Sequence, residues 1–213
     1  MSKVHRIVTS HLQQVLLIAV LTLASEVSAQ PDRGERFENT TAGIALTRPP
    51  GWHTVSLETV QKNREKVRLP DKELEQALQT RATAPLFAFM KYPEPHPTLN
   101  PSIQITLRPL GGLAASRPAA IMKMALGPMQ SNFPDFVLER PIAEVRVSGL
   151  PAAHARAPYT LTTDAGQFKV RTRIWVVTRG PFMFLIGMSG PAGGPDMSEM
   201  EFTTALASIQ IEK

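Results

Sequence analysis

Residues 167–190 read QFKVRTRIWVVTRGPFMFLIGMSG, and this stretch decides the class of fold. It contains two segments rich in β-branched and aromatic residues, separated by the turn signal Arg179-Gly180-Pro181. Three similar segments precede it along the chain: FVLER (136–140), AEVRVSG (143–149) and AAHARAPYTLTT (152–163). Successive strands joined by tight turns favour an antiparallel meander.

Working outward from this meander, the sequence predicts further strands and helices. Strands are predicted over GIALTR (43–48), a short segment from Trp52 to Ser56, LFAFMKY (86–92) and SIQITLRPL (102–110). Residues 57–68 and 69–81 predict one interrupted helix or two helices in series, because their apolar residues recur every three or four positions. The order of elements predicts an α+β fold, an antiparallel β-sheet sandwiched by helices.

Two more helices are predicted, one in the middle of the chain and one near its end. The middle one lies within residues 116–133, with Ser116 as N-cap, Pro118 in the first turn, and Gly127-Pro128 ending or kinking it. The last one lies within 197–211 and places five apolar residues on one face: Met197, Met200, Phe202, Leu206 and Ile209.

The N-terminal segment has the pattern of a secretory signal peptide. A positive start with Lys3 and Arg6 precedes the uncharged run VLLIAVLTLA, and Val27 and Ala29 suit a cleavage site after Ala29. We therefore expect a signal peptide over 1–29, a flexible lead-in over 30–40, and a single domain over 41–213. The expected location is periplasmic or secreted, and the expected protein is not an integral membrane protein, since the apolar run is too short to span a bilayer.

Composition excludes several classes of function. The chain has no cysteine, so disulfides and thiolate chemistry are absent. Its 23 Lys and Arg against 18 Asp and Glu give a net charge of +5, a modest bias without the dense basic patch that nucleic-acid binding needs. We expect no nucleic acid and no cofactor, and a partner that is another envelope protein or an anionic envelope component.

Three stretches resemble one known family. FENTTAGIALTRPPGW (37–52) is similar to the opening motif of the PsbP-like and DcrB-like α/β sandwich proteins, with an aromatic residue, an asparagine, a glycine-led strand and then Pro-x-Gly-Trp. VSGLPAAHARAPY (147–159) resembles the family's central hairpin. GPFMFLIGMSG, followed by a loop and a helix closing with SIQI, resembles its last strand and helix.

The resemblance implies a PsbP-like α/β/α sandwich that is usually non-catalytic and docks on another protein. The known members have unrelated partners, and no metal or docking residue of the family has an identifiable counterpart in this chain. A shared fold does not supply a function.

Residues typical of catalysis are sparse. His53, His96 and His154 do not stand at metal-ligand spacing. Gly187-Met188-Ser189-Gly190-Pro191 lacks the final glycine of a hydrolase nucleophile elbow, so an end-of-strand turn is the favoured interpretation. We expect no enzyme activity.

Two surfaces are candidates for binding. Lys169, Arg171 and Arg173 alternate with apolar residues and Trp175 continues the same side, which predicts either a solvated sheet face or a basic face for an anionic partner. The loop KYPEPHPTLNPS (91–102) offers Tyr92, His96 and Asn100, and its four prolines make it a stiff hairpin connection that can double as a recognition edge.

The expected function is thus an exported, non-catalytic binding or accessory protein of the cell envelope. Two alternatives stay open. Converging Ser, His and acidic side chains would favour a small envelope hydrolase. A closed apolar cavity would favour a carrier that holds an apolar ligand between helix and sheet, and a filled core with an exposed apolar or basic patch would favour docking.

Overall fold

The structure of the protein, a computed structural model, describes residues 34–194 and 197–213, which belong to one compact unit. The expected signal peptide and its cleavage site after Ala29 lie outside the described residues. Within the described part of the chain, no helix is long and apolar enough to cross a membrane.

Antiparallel strands form two sheets. The large sheet has the order β3-β4-β5-β9-β8-β7-β6, and the small sheet has the order β1-β2-β10. The described strands are β1 Arg36–Asn39, β2 Ile44–Thr47, β3 His53–Thr54, β4 Phe87–Met90, β5 Ser102–Pro109, β6 Ala143–Val147, β7 Leu150–Thr163, β8 Gly166–Arg179, β9 Phe182–Pro191 and β10 Gln210–Ile211.

Four helices accompany these strands in the described residues: α1 Leu57–Glu65, α2 Lys72–Arg81, α3 Pro118–Asn132 and α4 Glu199–Ser208. The first two are separate helices with their own caps. The Ser56 hydroxyl accepts from the Thr59 amide at 3.1 Å, and the Asp71 carboxylate accepts from the Glu73 and Leu74 amides, both at 3.0 Å. Such caps satisfy amides that have no partner inside the helix.

Helix α3 departs from its predicted N-cap, and of the two outcomes predicted for Gly127-Pro128, an end or a kink, the end does not occur. Its N-cap is Arg117 rather than Ser116, with Pro118 in the first turn, where a missing amide is tolerated. The helix does not end at Gly127-Pro128 but continues through Pro128 to Asn132. Packing of Leu126 and Met129 against the sheet is a tertiary gain that outweighs the lost backbone hydrogen bond.

Two apolar cores lie on opposite faces of the large sheet. On one face, α4 and the small sheet cover Phe87, Phe89, Ile103, Phe184 and Ile186. On the other face, α3 covers the small side chains of β7 at Ala153, Ala155 and Ala157. The predicted α+β class, an antiparallel sheet sandwiched by helices, is confirmed.

Two segments at the sheet edges differ from prediction. Residues 36–39, expected in a flexible lead-in, form β1 because they pair with β2 and Phe37 packs 5.0 Å from Phe89 between ring centroids. Residues 136–140 are not a strand. They follow the edge of β7 that β6 leaves open, with single hydrogen bonds such as that from the Glu139 amide to the Arg156 carbonyl at 2.9 Å.

The last helix also ends differently. Phe202 and Ile209 are buried as predicted, but Met200 is 78% exposed. Gln210 and Ile211 leave the helix and form β10 against β2. Edge pairing with β2 therefore overrides the helical periodicity of the last residues.

Residues 57–81, called here the α1–α2 arm, cross one side of the large sheet. The arm starts beside the edge strand β3 and is anchored at the tip of the β7–β8 hairpin, where Val67 bridges Thr163 and the Arg68 amide donates to the Thr162 carbonyl at 3.0 Å. The Asp71 amide also donates to the Asn132 side chain at the end of α3, at 3.3 Å. The arm therefore starts at the β3 edge of the sheet and is held at its far end by the β7–β8 hairpin and by α3.

Candidate functional site

A cleft lies between the α1–α2 arm and the sheet, on the same sheet face as α3. Its volume is about 530 Å³, which is within the range of small-molecule sites. The walls are apolar, and they come from the arm, the β7–β8 hairpin and β9: Val60, Val67, Leu78, Leu161, Phe168 and Leu185. A ligand-sized apolar space therefore lies between helix and sheet.

The floor of the cleft is polar. Alternate residues of β5 line it, Ser102, Gln104, Thr106 and Arg108, and small residues of β9 stand beside them. The register pairs Gln104 with Gly187, which leaves room above the strand. The Thr106 hydroxyl is buried without a hydrogen-bond partner among the described residues. A buried hydroxyl without a hydrogen-bond partner lowers the free energy of unfolding, unless a water molecule or a ligand supplies the partner.

The loop 91–101 forms one end of the cleft. The Asn100 side chain holds this loop closed: it accepts from the Tyr92 amide at 3.0 Å and donates to the Tyr92 carbonyl and the Glu94 carboxylate, both at 2.9 Å. His96 stacks on Tyr92 with ring centroids 4.7 Å apart. His96 and Asn100 line the cleft. The predicted stiff connection is therefore also a wall of the cleft.

Three cations of β8, Lys169, Arg171 and Arg173, form ion pairs with carboxylates of the same protein. The Lys169 amine contacts Asp135 at 2.8 Å, the Arg171 guanidinium contacts Glu139 at 2.6 Å, and Arg173 pairs with Glu199. Glu139 and Glu199 also pair with Arg156, at 2.7 and 3.0 Å. Carboxylates from the 133–142 segment and from α4 cover Arg171 and Arg173, whose side chains are 23% and 8% exposed, whereas the paired Lys169 side chain stays 70% exposed.

Burial changes the chemistry of two members of this strand. The Arg173 side chain is 8% exposed. Burial first, then Arg156 and Arg171, lower the pKa of Arg173 to about 10, while Glu139 opposes the shift. Trp175 is also buried and stacks on His154 with ring centroids 4.4 Å apart. Neither residue presents the exposed cation or ring that the sequence predicts.

His96 and Asn100 of the loop lie on the sheet face opposite the basic residues, whereas Tyr92 does not line the cleft. Thr172 and Ile174 of β8 line the cleft, so Arg171 and Arg173, which alternate with them, face α4. Of the candidate residues, His96 and Asn100 are at the cleft, whereas the basic residues and Trp175 are not. The structure does not bring the two sets together.

In the described part of the chain, the hydrogen-bond partner of the Ser189 side chain is a hydroxyl and not an imidazole. The Ser189 hydroxyl donates to the Thr172 hydroxyl at 2.8 Å. His96 contacts the Thr98 carbonyl through Nδ1 at 3.1 Å, and His154 is on the other sheet face beside Trp175. Within residues 34–194 and 197–213, no group of three or more His, Asp or Glu side chains is placed to hold a metal ion.

Sequence reasoning missed the cleft and its charged groups. Arg64 and Arg108 both line it, although they are 44 positions apart in the chain. The one available signal is the period-two row of polar residues in SIQITLRP, which marks one face of β5 as not filled by core. Nothing in the sequence indicates that the α1–α2 arm crosses that face.

Comparisons with known proteins yield only solved structures. No family model matches the chain, and no curated protein matches it. A crystal structure of LpqN, involved in cell envelope biogenesis of Mycobacterium tuberculosis, has 16% identity and a TM-score of 0.47, with 86% of this chain and 88% of that chain covered. The solution structure of cyanobacterial PsbP from Synechocystis has 15% identity and a TM-score of 0.47, with 84% and 92% covered.

A structure from Bacteroides thetaiotaomicron has 14% identity and a TM-score of 0.43, with 84% of this chain covered. The chain spans about half the length of that protein, 49%. All three TM-scores are below 0.5. Identities this low carry nothing about function.

Proposed function

We propose that this protein is an exported, non-catalytic binding protein of the cell envelope that holds an elongated, largely apolar molecule in the cleft. The observation that carries the proposal is the cleft itself, about 530 Å³ in volume with apolar walls on both sides. Convergent polar groups in an apolar pocket mark a binding site by default. The unpartnered Thr106 hydroxyl is one such group.

The arrangement of charges supports a carrier over a protein that docks through its basic strand. Lys169, Arg171 and Arg173 each form an ion pair with a carboxylate, and the side chains of Arg171 and Arg173 are largely covered, which leaves Lys169 as the exposed cation of the three. The hydrolase alternative has less support, because Ser189 has a hydroxyl partner and no imidazole partner among the described residues. The signal-peptide pattern of residues 1–29 is the reason for proposing export. Intact-mass analysis of the secreted protein tests this proposal, and we expect residues 1–29 to be missing.

The test of the carrier function is a variant that fills the cleft. Gly187 is suited to this because a Cβ added to it meets only the Gln104 carbonyl oxygen, at 4.0 Å. Gly187→Leu therefore places an apolar side chain over the floor with little strain. We expect the wild-type protein to bind the fluorescent long-chain probe cis-parinarate, and Gly187→Leu to lose at least tenfold in affinity with its melting temperature maintained.

Gly112→Leu is the matched control. Gly112 is exposed, lies outside the cleft, and also has open space around an added Cβ. It should bind the probe as the wild type does. Equal binding by Gly187→Leu and Gly112→Leu, or no binding by the wild type, would exclude the cleft as the site.

A further inference from the structure

The charged groups of the cleft are unevenly distributed. Three cations line it, Arg64, Lys66 and Arg108, against one carboxylate, Glu94. Glu94 accepts from the Asn100 side chain at 2.9 Å and from the His96 amide at 3.3 Å, so it belongs to the loop end. Arg108 is at the other end of β5, six residues beyond Ser102, which corresponds to about 20 Å at the rise of a strand.

The two arginines have no carboxylate partner among the described residues. Arg64 donates to backbone carbonyls only, those of Ala82 at 3.2 Å and Thr83 at 2.9 Å. Arg108 is exposed and makes no ion pair in the described part of the chain. Arg48, Arg68, Arg117 and Arg156 each pair with an acid, whereas Arg36 and Arg146, like Arg64, donate to uncharged oxygens. The cleft therefore has a cationic end that the fold leaves uncompensated.

Electrostatics between the two arginines support the same conclusion. Burial first, and then the charge of Arg108, lower the pKa of Arg64. Like charges brought together in a partly buried site repel each other, and an anion between them would relieve that repulsion. Guanidinium groups bind carboxylates with paired, charge-assisted hydrogen bonds.

We propose that the occupant of the cleft is a long-chain fatty carboxylate, with its headgroup between Arg64 and Arg108 and its chain along β5 toward the loop. This assignment rests on the proposed carrier function and adds the chemistry of the ligand to it. The apolar walls accommodate the chain, and the floor of about 20 Å suits an extended molecule rather than a compact one. A cationic headgroup is disfavoured at the arginine end by the same charges.

The experiment measures displacement of cis-parinarate by four competitors. Palmitate, hexadecanol and hexadecylamine have the same chain length and an anionic, neutral or cationic headgroup, and acetate is a headgroup without a chain. We expect palmitate to compete at least tenfold better than hexadecanol, hexadecylamine to compete worst, and acetate not to compete. Added salt should weaken the competition by palmitate and leave the competition by hexadecanol unchanged.

Variants assign the preference to the two arginines. Arg64→Gln and Arg108→Gln should each lower the affinity for palmitate roughly tenfold, which is the scale of a charged hydrogen bond. The affinity for hexadecanol should stay within about twofold of the wild-type value. Arg140→Gln is the matched control, because Arg140 is exposed, is outside the cleft and has no carboxylate partner among the ion pairs of the described residues. It should bind both competitors as the wild type does.

The outcomes separate this inference from the function on which it rests. If palmitate and hexadecanol compete equally, or if both arginine variants keep the preference for palmitate, the headgroup assignment is overturned while the carrier function stands. If acetate alone displaces the probe, the chain has no role and the assignment is overturned. If no long-chain competitor displaces the probe and Gly187→Leu has no effect, both fail together.

Discussion

Arg173 is a buried guanidinium that contacts two kinds of group at once. It pairs with Glu199, and its charge lies 5.2 Å from the centroid of the Phe202 ring. Both partners belong to α4, so this residue joins the helix to the sheet electrostatically. Its neighbour Lys169 is on the same strand face but has a side chain that is 70% exposed.

Arg173→Gln is therefore expected to lower the free energy of unfolding by about 2 to 3 kcal/mol, since it removes one partner of a partly buried ion pair. Lys169→Gln should change it by less than about 0.5 kcal/mol, because exposed pairs contribute little. Urea denaturation measures both. Equal effects would mean that the Arg173 pair is solvated and energetically neutral.

His154 should make stability depend on pH. Burial, and then the charges of Arg173 and Arg156, lower its pKa in the folded protein. A base with a lowered folded pKa contributes stability that is fully present above its unfolded pKa of about 6.5 and is lost as the pH falls toward the folded pKa.

We therefore expect wild-type stability to decline as the pH falls below about 6.5. His154→Phe, which keeps a ring against Trp175 and cannot be protonated, should have a smaller decline over the same interval. Urea titrations at several pH values test this. A decline of the same size in both proteins would assign the pH dependence to other groups.

At the scale of elements, the loop 91–101 depends on one side chain. Asn100 makes three hydrogen bonds across the loop, and the prolines around it provide few amide donors to replace them. The same loop forms an end of the cleft. Its shape and the shape of the site are therefore linked through Asn100.

Asn100→Ala should destabilise the protein by about 1 to 2 kcal/mol, because it leaves the Tyr92 amide and carbonyl without that partner. Amide hydrogen exchange within 91–101 should accelerate, and affinity for cis-parinarate should fall. Thr98→Ala is the control for hydrogen exchange, since Thr98 is exposed in the same loop and its hydrogen bonds to described residues are with His96. If Thr98→Ala has the same effect on exchange, Asn100 has no special role in closing the loop.

At the scale of the whole molecule, the large sheet has one face committed to core and one face shared between core and cleft. The α4 face is filled by aromatic and aliphatic side chains, and its cations have carboxylate partners. The α3 face is filled only where α3 lies. The α1–α2 arm covers the remainder without filling it, and the arm is anchored where Val67 meets Thr163.

Cross-linking the arm to the hairpin tests whether the arm moves when a ligand is bound. Hydrogen bonds flank the Val67–Thr163 pair on both sides, from the Arg68 amide to the Thr162 carbonyl and from the Asp164 amide to the Lys66 carbonyl. Such a non-hydrogen-bonded pair is close enough for a disulfide, and the chain has no other cysteine to interfere.

Oxidised Val67→Cys/Thr163→Cys should gain about 2 to 4 kcal/mol in unfolding free energy and bind cis-parinarate with slower association and dissociation. The reduced protein serves as its own control and should regain wild-type rates. Unchanged rates in the oxidised protein would show that the ligand enters without movement of the arm.

The strands of the meander from residue 143 onward, the presence of the four helices and the sandwich class could be predicted from the sequence, because alternation and turn residues act over a few neighbouring positions. The remaining features depend on contacts between distant parts of the chain. Three features depend on packing partners far away in the chain: strand β1, strand β10 and the continuation of α3 past Pro128. Arg171 and Arg173 lack the predicted solvent exposure because folding brings Glu139 and Glu199 to them. The cleft exists only because the α1–α2 arm crosses β5 and β9, and no local pattern records which strands a distant helix covers.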